Sequence, residues 1–171
     1  MKIRQEKESD YIEVYELVKK SFLTATEGDG DEQDYLNDLR TKSTFIPELS
    51  LVAEDEDRTL LGQIVLYEMS IKIDSEVITQ LVLSPICVHP DHFLKGIARK
   101  MIEKAIYIAN NLGYSAVFLC GDPNLYKKLG FHPSFLDNIY HVNDNDRSAQ
   151  WCMVREIKSG FLVNVEGLID I

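Results

Sequence analysis

With 171 residues, 45% of them hydrophobic and 27% charged, the chain has the size and apolar content of a single globular domain (1–171) that needs no metal or disulfide to hold it. A formal net charge of −10 speaks against sequence-independent nucleic-acid binding, which requires clustered Lys and Arg on phosphates. Three cysteines without a CxxC pair, an opening MKIRQEKESD without an apolar run, and no window near ~18 apolar residues point to buried thiols in a cytoplasmic protein, with neither a secretory leader nor a membrane span.

KIRQE alternates and reads as a short strand. Ser9 is then expected to cap a helix carrying Tyr11, Ile12, Val14, Tyr15, Leu17, Val18 and Phe22 on a broad buried face. EGDGDEQ is a loop that leads into a second helix over 32–39. ELSLVAED, the turn EDRT and LLGQIVLYEMSIKI follow as strand, turn and longer strand, with a polar turn at Asp74 and Ser75; joins this short imply antiparallel neighbours.

Residues 77–88, VITQLVLSPICV, form the next strand, and they contain Pro85. Proline cannot donate to a ladder, so it marks an edge, a bulge or a place where pairing has stopped. The longest helix is expected over 94–112, with Ile97, Met101, Ile102, Ala105, Ile106, Ala109 and Leu112 on one stripe and Gly113 as its C′ residue. SAVFLC is a buried strand, so this part reads strand, helix, strand, a right-handed crossover between parallel strands. NLYKKLGF is a short helix stopped by Gly130, and QWCMVREI is a late strand. The tail 157–171 is apolar and alternating, and is expected to add a strand or to join a second copy in a homodimer.

Charge is distributed unevenly. Residues 25–60 hold eleven acids against three bases, whereas 95–104 hold four bases and one acid. That pattern is either a solubilising surface or two half-sites, a basic one for an anion and an acidic one for a cation. At the start of the long helix, several unpaired N–H groups and the positive end of the macrodipole favour an anion. Gly96 and Ala98 permit close approach there, and Lys95, Arg99 and Lys100 add positive charge. Neither a P-loop nor GxGxxG is present, so these residues alone leave two readings, an anion site or a tight strand-to-helix join. His89, Asp91 and His92 lack a further partner at ligand spacing, and no metal is expected.

The run LSPICVHPDHFLKGIARKMI resembles the acetyl-coenzyme A binding segment of GNAT-superfamily N-acetyltransferases. There a strand ends in Val-x-Pro, and Gln/Arg-x-x-Gly-x-Gly/Ala opens a helix. Val88, His89 and Pro90 match the first part, and Gly96, Ile97 and Ala98 the second. Phe93 stands at the Gln/Arg position, and Leu94 where a further glycine is frequent. Downstream, VFLCGDPNLYKKLGFHP resembles the family's late strand and its Tyr-x-x-x-Gly-Phe helix, here Tyr126 to Phe131; the Gly-Asp-Pro start resembles a bacterial subgroup.

The resemblance implies an α/β (α+β) fold. A central, mixed, mostly antiparallel sheet is flanked by helices, and a splayed strand pair forms a wedge for the pantetheine arm. It implies acetyl-CoA as co-substrate, held by Ile86, Cys87 and Val88 on the strand, by Phe93, Leu94, Lys95, Gly96, Ile97, Ala98 and Arg99 at the helix start, and by Asn124. Pro85 suits a bulge beside that wedge. Tyr126 is the implied catalytic residue, near the thioester sulfur, against the bland reading of an aromatic packed in the core.

The implied reaction is direct attack of a primary amine, small-molecule or peptide, on acetyl-CoA within a ternary complex. The acidic N-terminal half favours a cationic acceptor. Glu54, Glu68 and His89 are candidates by position for the base, as is water alone, and Cys120 is either a buried structural thiol or an acyl-carrying nucleophile. Two rival readings stand beside this one: a non-catalytic acyl-CoA-binding module of the same fold, and transfer of a longer acyl group. No nucleic-acid or membrane partner is expected.

Overall fold

A computed structural model describes residues 1–23, 30–73 and 76–171. In chain order the elements are β1 (Lys2–Gln5), α1 (Tyr11–Phe22), α2 (Glu32–Leu39), β2 (Phe45–Glu54), β3 (Leu60–Ile73), β4 (Glu76–Val88), α3 (Ile97–Asn111), β5 (Ala116–Cys120), α4 (Pro123–Tyr126), β6 (His132–Pro133), β7 (Ile139–His141), β8 (Cys152–Glu156) and β9 (Gly167–Ile169). The chain forms two compact units, one of residues 1–67 and 84–108, the other of 68–83 and 109–171. Strands β3 and β4 run through both. Residues 27–29 of the expected first loop, and the expected polar turn at 74 and 75, lie outside the described residues.

In the first unit β1 pairs antiparallel with β2, and β2 with β3, which also neighbours β4. Val14, Leu17, Val18, Leu36 and Leu39 from α1 and α2 form one buried cluster with Val52, Leu60, Val65 and Cys87. Each fully buried aliphatic side chain of this kind contributes about 1.5–3 kcal/mol relative to exposure. The sequence places Ile12 on that face, but it is 84% exposed, because the helix turns only one stripe inward.

Ser9 does not cap α1. Residues Glu8–Asp10 form a 3₁₀ turn, and the helix begins after Asp10. The Asp10 carboxylate accepts the Lys7 N–H at 2.8 Å and the Arg4 Nη1 at 2.6 Å, so the charged partner fixes the helix entry. Arg4 holds the Asp10 carboxyl below the usual carboxylate range. Deeper in this unit the Arg40 guanidinium pairs with Glu6, whose Oε2 also accepts Ser50 Oγ–H at 2.7 Å.

In the second unit β4 runs parallel to β5 with Leu81 opposite Val117 and Val82 opposite Phe118. The buried Gln80 Oε1 accepts the Ser115 and Ala116 N–H groups at 2.9 and 3.0 Å, extending that junction with a side chain. Strand β5 pairs antiparallel with β8, and β8 with β6; β9 runs parallel to β7 and antiparallel to β3. Phe118, Leu119, Ile139, Met153 and Val154 are buried. The result is a mixed, mostly antiparallel open sheet flanked by helices. No helix among the described residues is long and apolar enough to cross a membrane.

Candidate functional site

The C-terminal half of β4 places Ile86, Cys87 and Val88 in alternation, with Cys87 buried and its neighbours half-buried. Just before them the Ser84–Pro85 peptide bond is cis, and Pro85 is buried within the strand. The Val88 carbonyl accepts the Ser21 hydroxyl at 3.0 Å, a link from α1 that the sequence did not reveal. Burial pushes the Cys87 thiol up to about 12, so it is a packing group at neutral pH. Gly62 on β3 lies close against this strand: a Cβ there would meet the Cys87 carbonyl oxygen and the Met101 methyl at 2.8 Å each. A lone glycine within a strand pattern is the signal that could have found it.

After Val88 the His89 N–H donates to the Leu61 carbonyl at 2.8 Å, and Pro90–His92 makes a 3₁₀ turn. The His89 ring has a partner at each nitrogen: its Nε2 lies 2.9 Å from Lys20 Nζ, and its Nδ1 accepts the Asp91 N–H at 3.3 Å. Helix α3 then starts at Ile97, not at the expected residue 94. Leu94 (φ 61°) and Gly96 (φ 76°) are both left-handed, which a right-handed helix cannot contain. Phe93 is 48% exposed and Leu94 fully exposed, so two apolar side chains stand open to solvent where the family motif usually has polar and glycine residues.

The intrahelical ladder begins with the Lys100 N–H on the Gly96 carbonyl at 3.2 Å. By helix geometry the N–H groups of Ile97 and Ala98 therefore point beyond the helix end. A Cβ on Gly96 would meet no atom within 4 Å, leaving the helix start open to a close approach. Lys95 Nζ turns back onto the Asp91 carbonyl at 3.0 Å, while Arg99 and Lys100 are exposed on the first turn. Open space, outward amides and local positive charge suit a diphosphate.

In the second unit Asp122 caps α4, accepting the Asn124 N–H at 2.8 Å and its Nδ2–H at 3.1 Å, so the exposed Asn124 is oriented locally. The half-buried Tyr126 ring meets Phe131 edge-on with centroids 5.8 Å apart. It also lies over Gly121, where any Cβ would collide with it. Gly130 ends the following 3₁₀ turn at φ 87°, as its place in the sequence predicts.

Of the base candidates, Glu54 is taken by Arg4 Nε at 2.7 Å, and Glu68 accepts the Tyr114 hydroxyl at 2.5 Å. Cys120 departs from the expectation of a buried thiol. It is exposed, because it ends β5 one residue beyond that strand's buried run. No group of three or more His, Cys, Asp or Glu among the described residues could hold a metal ion.

The fold thus sets an open, small-residue helix start after the turn that follows β4. A model of the acetyltransferase (GNAT) domain matches residues 2–134, and the chain belongs to the GNAT acetyltransferase family. The uncharacterized N-acetyltransferase YhbS of Escherichia coli K12 is 30% identical over 131 residues, which is 77% of this chain and 73% of that protein. The crystal structure of YhbS from Escherichia coli in complex with CoA shares the fold at a TM-score of 0.83 and 24% identity, covering 99% of this chain and 88% of that one. A GNAT family acetyltransferase from Brucella melitensis in complex with acetyl-CoA matches at a TM-score of 0.67 and 26% identity, over 76% of this chain and 81% of that one.

Proposed function

We propose that the chain is a cytoplasmic N-acetyltransferase that moves an acetyl group from acetyl-CoA to a primary amine of cationic character. The observation that carries the reading is the opening of α3. Left-handed Leu94 and Gly96 precede the outward amides of Ile97 and Ala98, in a chain that belongs to the GNAT family. On this reading the amides of residues 95–98 bind the diphosphate, with Arg99 beside them, and Phe93 and Leu94 form an apolar rim around it. The backbone of Ile86, Cys87 and Val88 bonds the pantetheine amides as a neighbouring strand would. Asn124 contacts the same co-substrate.

The amine nitrogen attacks the thioester carbonyl carbon as a neutral base; the C–N bond forms, the C–S bond breaks, and the leaving thiolate takes a proton. Tyr126 is assigned the donation of that proton or of a hydrogen bond to the sulfur. A backbone N–H on β4 stabilises the developing oxyanion. The amine's own proton passes to water or to a carboxylate, and Glu68, which accepts only the Tyr114 hydroxyl among the described residues while Glu54 is held by Arg4, is the candidate. The cationic acceptor is argued from the eleven acids of residues 25–60.

Exposed Phe93 and Leu94 favour keeping one second reading, a module that binds acyl-CoA without turnover. Calorimetric titration with acetyl-CoA, followed by thiol release across primary amines from neutral to polycationic, separates the two. Binding with release supports the transferase, binding without release across the panel supports the module, and absence of binding refutes both.

A further inference from the structure

Cys120 and Cys152 are both free thiols, and they stand directly opposite each other on β5 and β8. Antiparallel neighbours alternate between pairs that exchange two backbone hydrogen bonds and pairs that exchange none, and the second kind brings Cα atoms to about 4.5 Å. The Gly121 N–H donates to the Trp151 carbonyl at 2.9 Å. Those two residues are next in register, so Cys120 and Cys152 form a pair of the closer, non-bonded kind. A disulfide spans Cα separations of roughly 4.4–6.8 Å, so the separation of this pair falls at the near end of the range a bridge spans.

The surroundings favour one thiolate shared between the two sulfurs. The neighbouring Cys120 thiol lowers the Cys152 thiol below its ordinary range, and the Ser134 hydroxyl, 3.3 Å from Cys152 Sγ, and the nearby His141 act in the same direction against burial and Asp144. The same contact, together with burial, pushes Cys120 up. Cys120 is the exposed member, with its Sγ 3.9 Å from the Ile171 carbonyl oxygen, whereas Cys152 is buried.

We propose that Cys120 and Cys152 are a peroxide-responsive dithiol that closes to an intramolecular disulfide at the end of β5. Hydrogen peroxide meets the exposed Cys120 sulfur once the shared proton has moved to Cys152. An S–O bond forms, the O–O bond breaks, and hydroxide leaves and takes a proton. The Cys152 sulfur then attacks the Cys120 sulfenic acid; the S–S bond forms, the S–O bond breaks, and water leaves with the Cys152 proton. In sum, two thiols are oxidised and one peroxide is reduced to two waters. The bridge ties β5 to β8 at the residue before Gly121, and the buried Cys87 stays outside the reaction.

The test exposes the full chain to hydrogen peroxide, alkylates the remaining thiols, and reads intact mass and peptide maps before and after dithiothreitol. The expected result is loss of two of the three thiols, a linked pair of peptides containing Cys120 and Cys152, and full recovery with dithiothreitol. Cys120→Ser and Cys152→Ser should each abolish the bridge. Cys120→Ser changes an exposed side chain, so it keeps the test open if Cys152→Ser fails to fold. Retention of all three thiols, sulfinic acid in place of the bridge, or a bridge through Cys87 or between chains would overturn the proposal.

Discussion

Gly96→Ala separates the two things a glycine can do at the start of α3. With φ at 76°, an L residue there costs about 1–2 kcal/mol. Alanine also narrows the unfolded ensemble, which offsets roughly 0.4–1 kcal/mol of that cost. No atom lies within 4 Å of the added Cβ, so there is no steric contribution. The net loss of stability should be about 1 kcal/mol, or roughly 2–4 °C in Tm for a chain of this length. A diphosphate seated on the amides would meet the methyl directly. Weakening one charge-assisted bond by about 1.5–3 kcal/mol predicts a CoA Kd raised about 10- to 140-fold. Gly113→Ala is the internal control, since it too has a positive φ (98°) and nothing within 4 Å of its Cβ, but it lies past the other end of α3. Urea melts and calorimetric titration of both variants give the answer. Equal loss of stability with a changed Kd only in Gly96→Ala is expected; an unchanged Kd in both refutes the reasoning.

Tyr126→Phe keeps the ring against Phe131 and Gly121, so it should fold normally, leave CoA affinity nearly intact and lower turnover about 10²- to 10⁴-fold in a thiol-release assay. An unchanged rate would remove the role assigned to its hydroxyl. Arg40→Met strands Glu6, whose side chain is 1% exposed, with Ser50 as its remaining partner, and should cost about 3–5 kcal/mol in denaturant unfolding. A loss below 1 kcal/mol would contradict the reading of Glu6 as a buried charge that depends on Arg40. Cys87 binds its proton up to about pH 12 in the fold, but only to about pH 9 when unfolded. Its contribution to stability is therefore full below pH 9 and falls as pH rises from there toward 12. Stability of the wild type should drop more steeply than that of Cys87→Ala over this window, and parallel pH profiles would contradict the burial argument.

Elements carried by strong periodicity were legible in the sequence. The second helix, the long strand 60–73 and the stop at Gly130 stand where apolar spacing and glycine place them. Ends set by tertiary partners were not. Asp10 displaces Ser9 because Arg4 and the Lys7 amide converge on its carboxylate, and no local pattern encodes that. The start of α3 moved to Ile97 because Leu94 adopts a left-handed conformation that leucine seldom takes, so its identity gave the wrong cue. The composition of Cys120 implied burial, yet a strand's last residue can fall outside the core while still reading as apolar. Its juxtaposition with Cys152 depends on the register of two strands far apart in sequence, which the pattern of either one leaves open. Apart from Asn124 on α4, the candidate co-substrate residues fall on one continuous stretch of β4, loop and α3. That is why they could be found together from a motif, whereas Ser21 and Gly62, which hold that stretch in place, come from other elements.

The most direct measurement is a crystal structure of the chain with CoA. It should show diphosphate oxygens about 2.7–3.2 Å from the amide nitrogens of residues 95–98, with pantetheine bonded along Ile86–Val88. Density for the diphosphate at any other place, with the α3 amides facing only solvent, would contradict it.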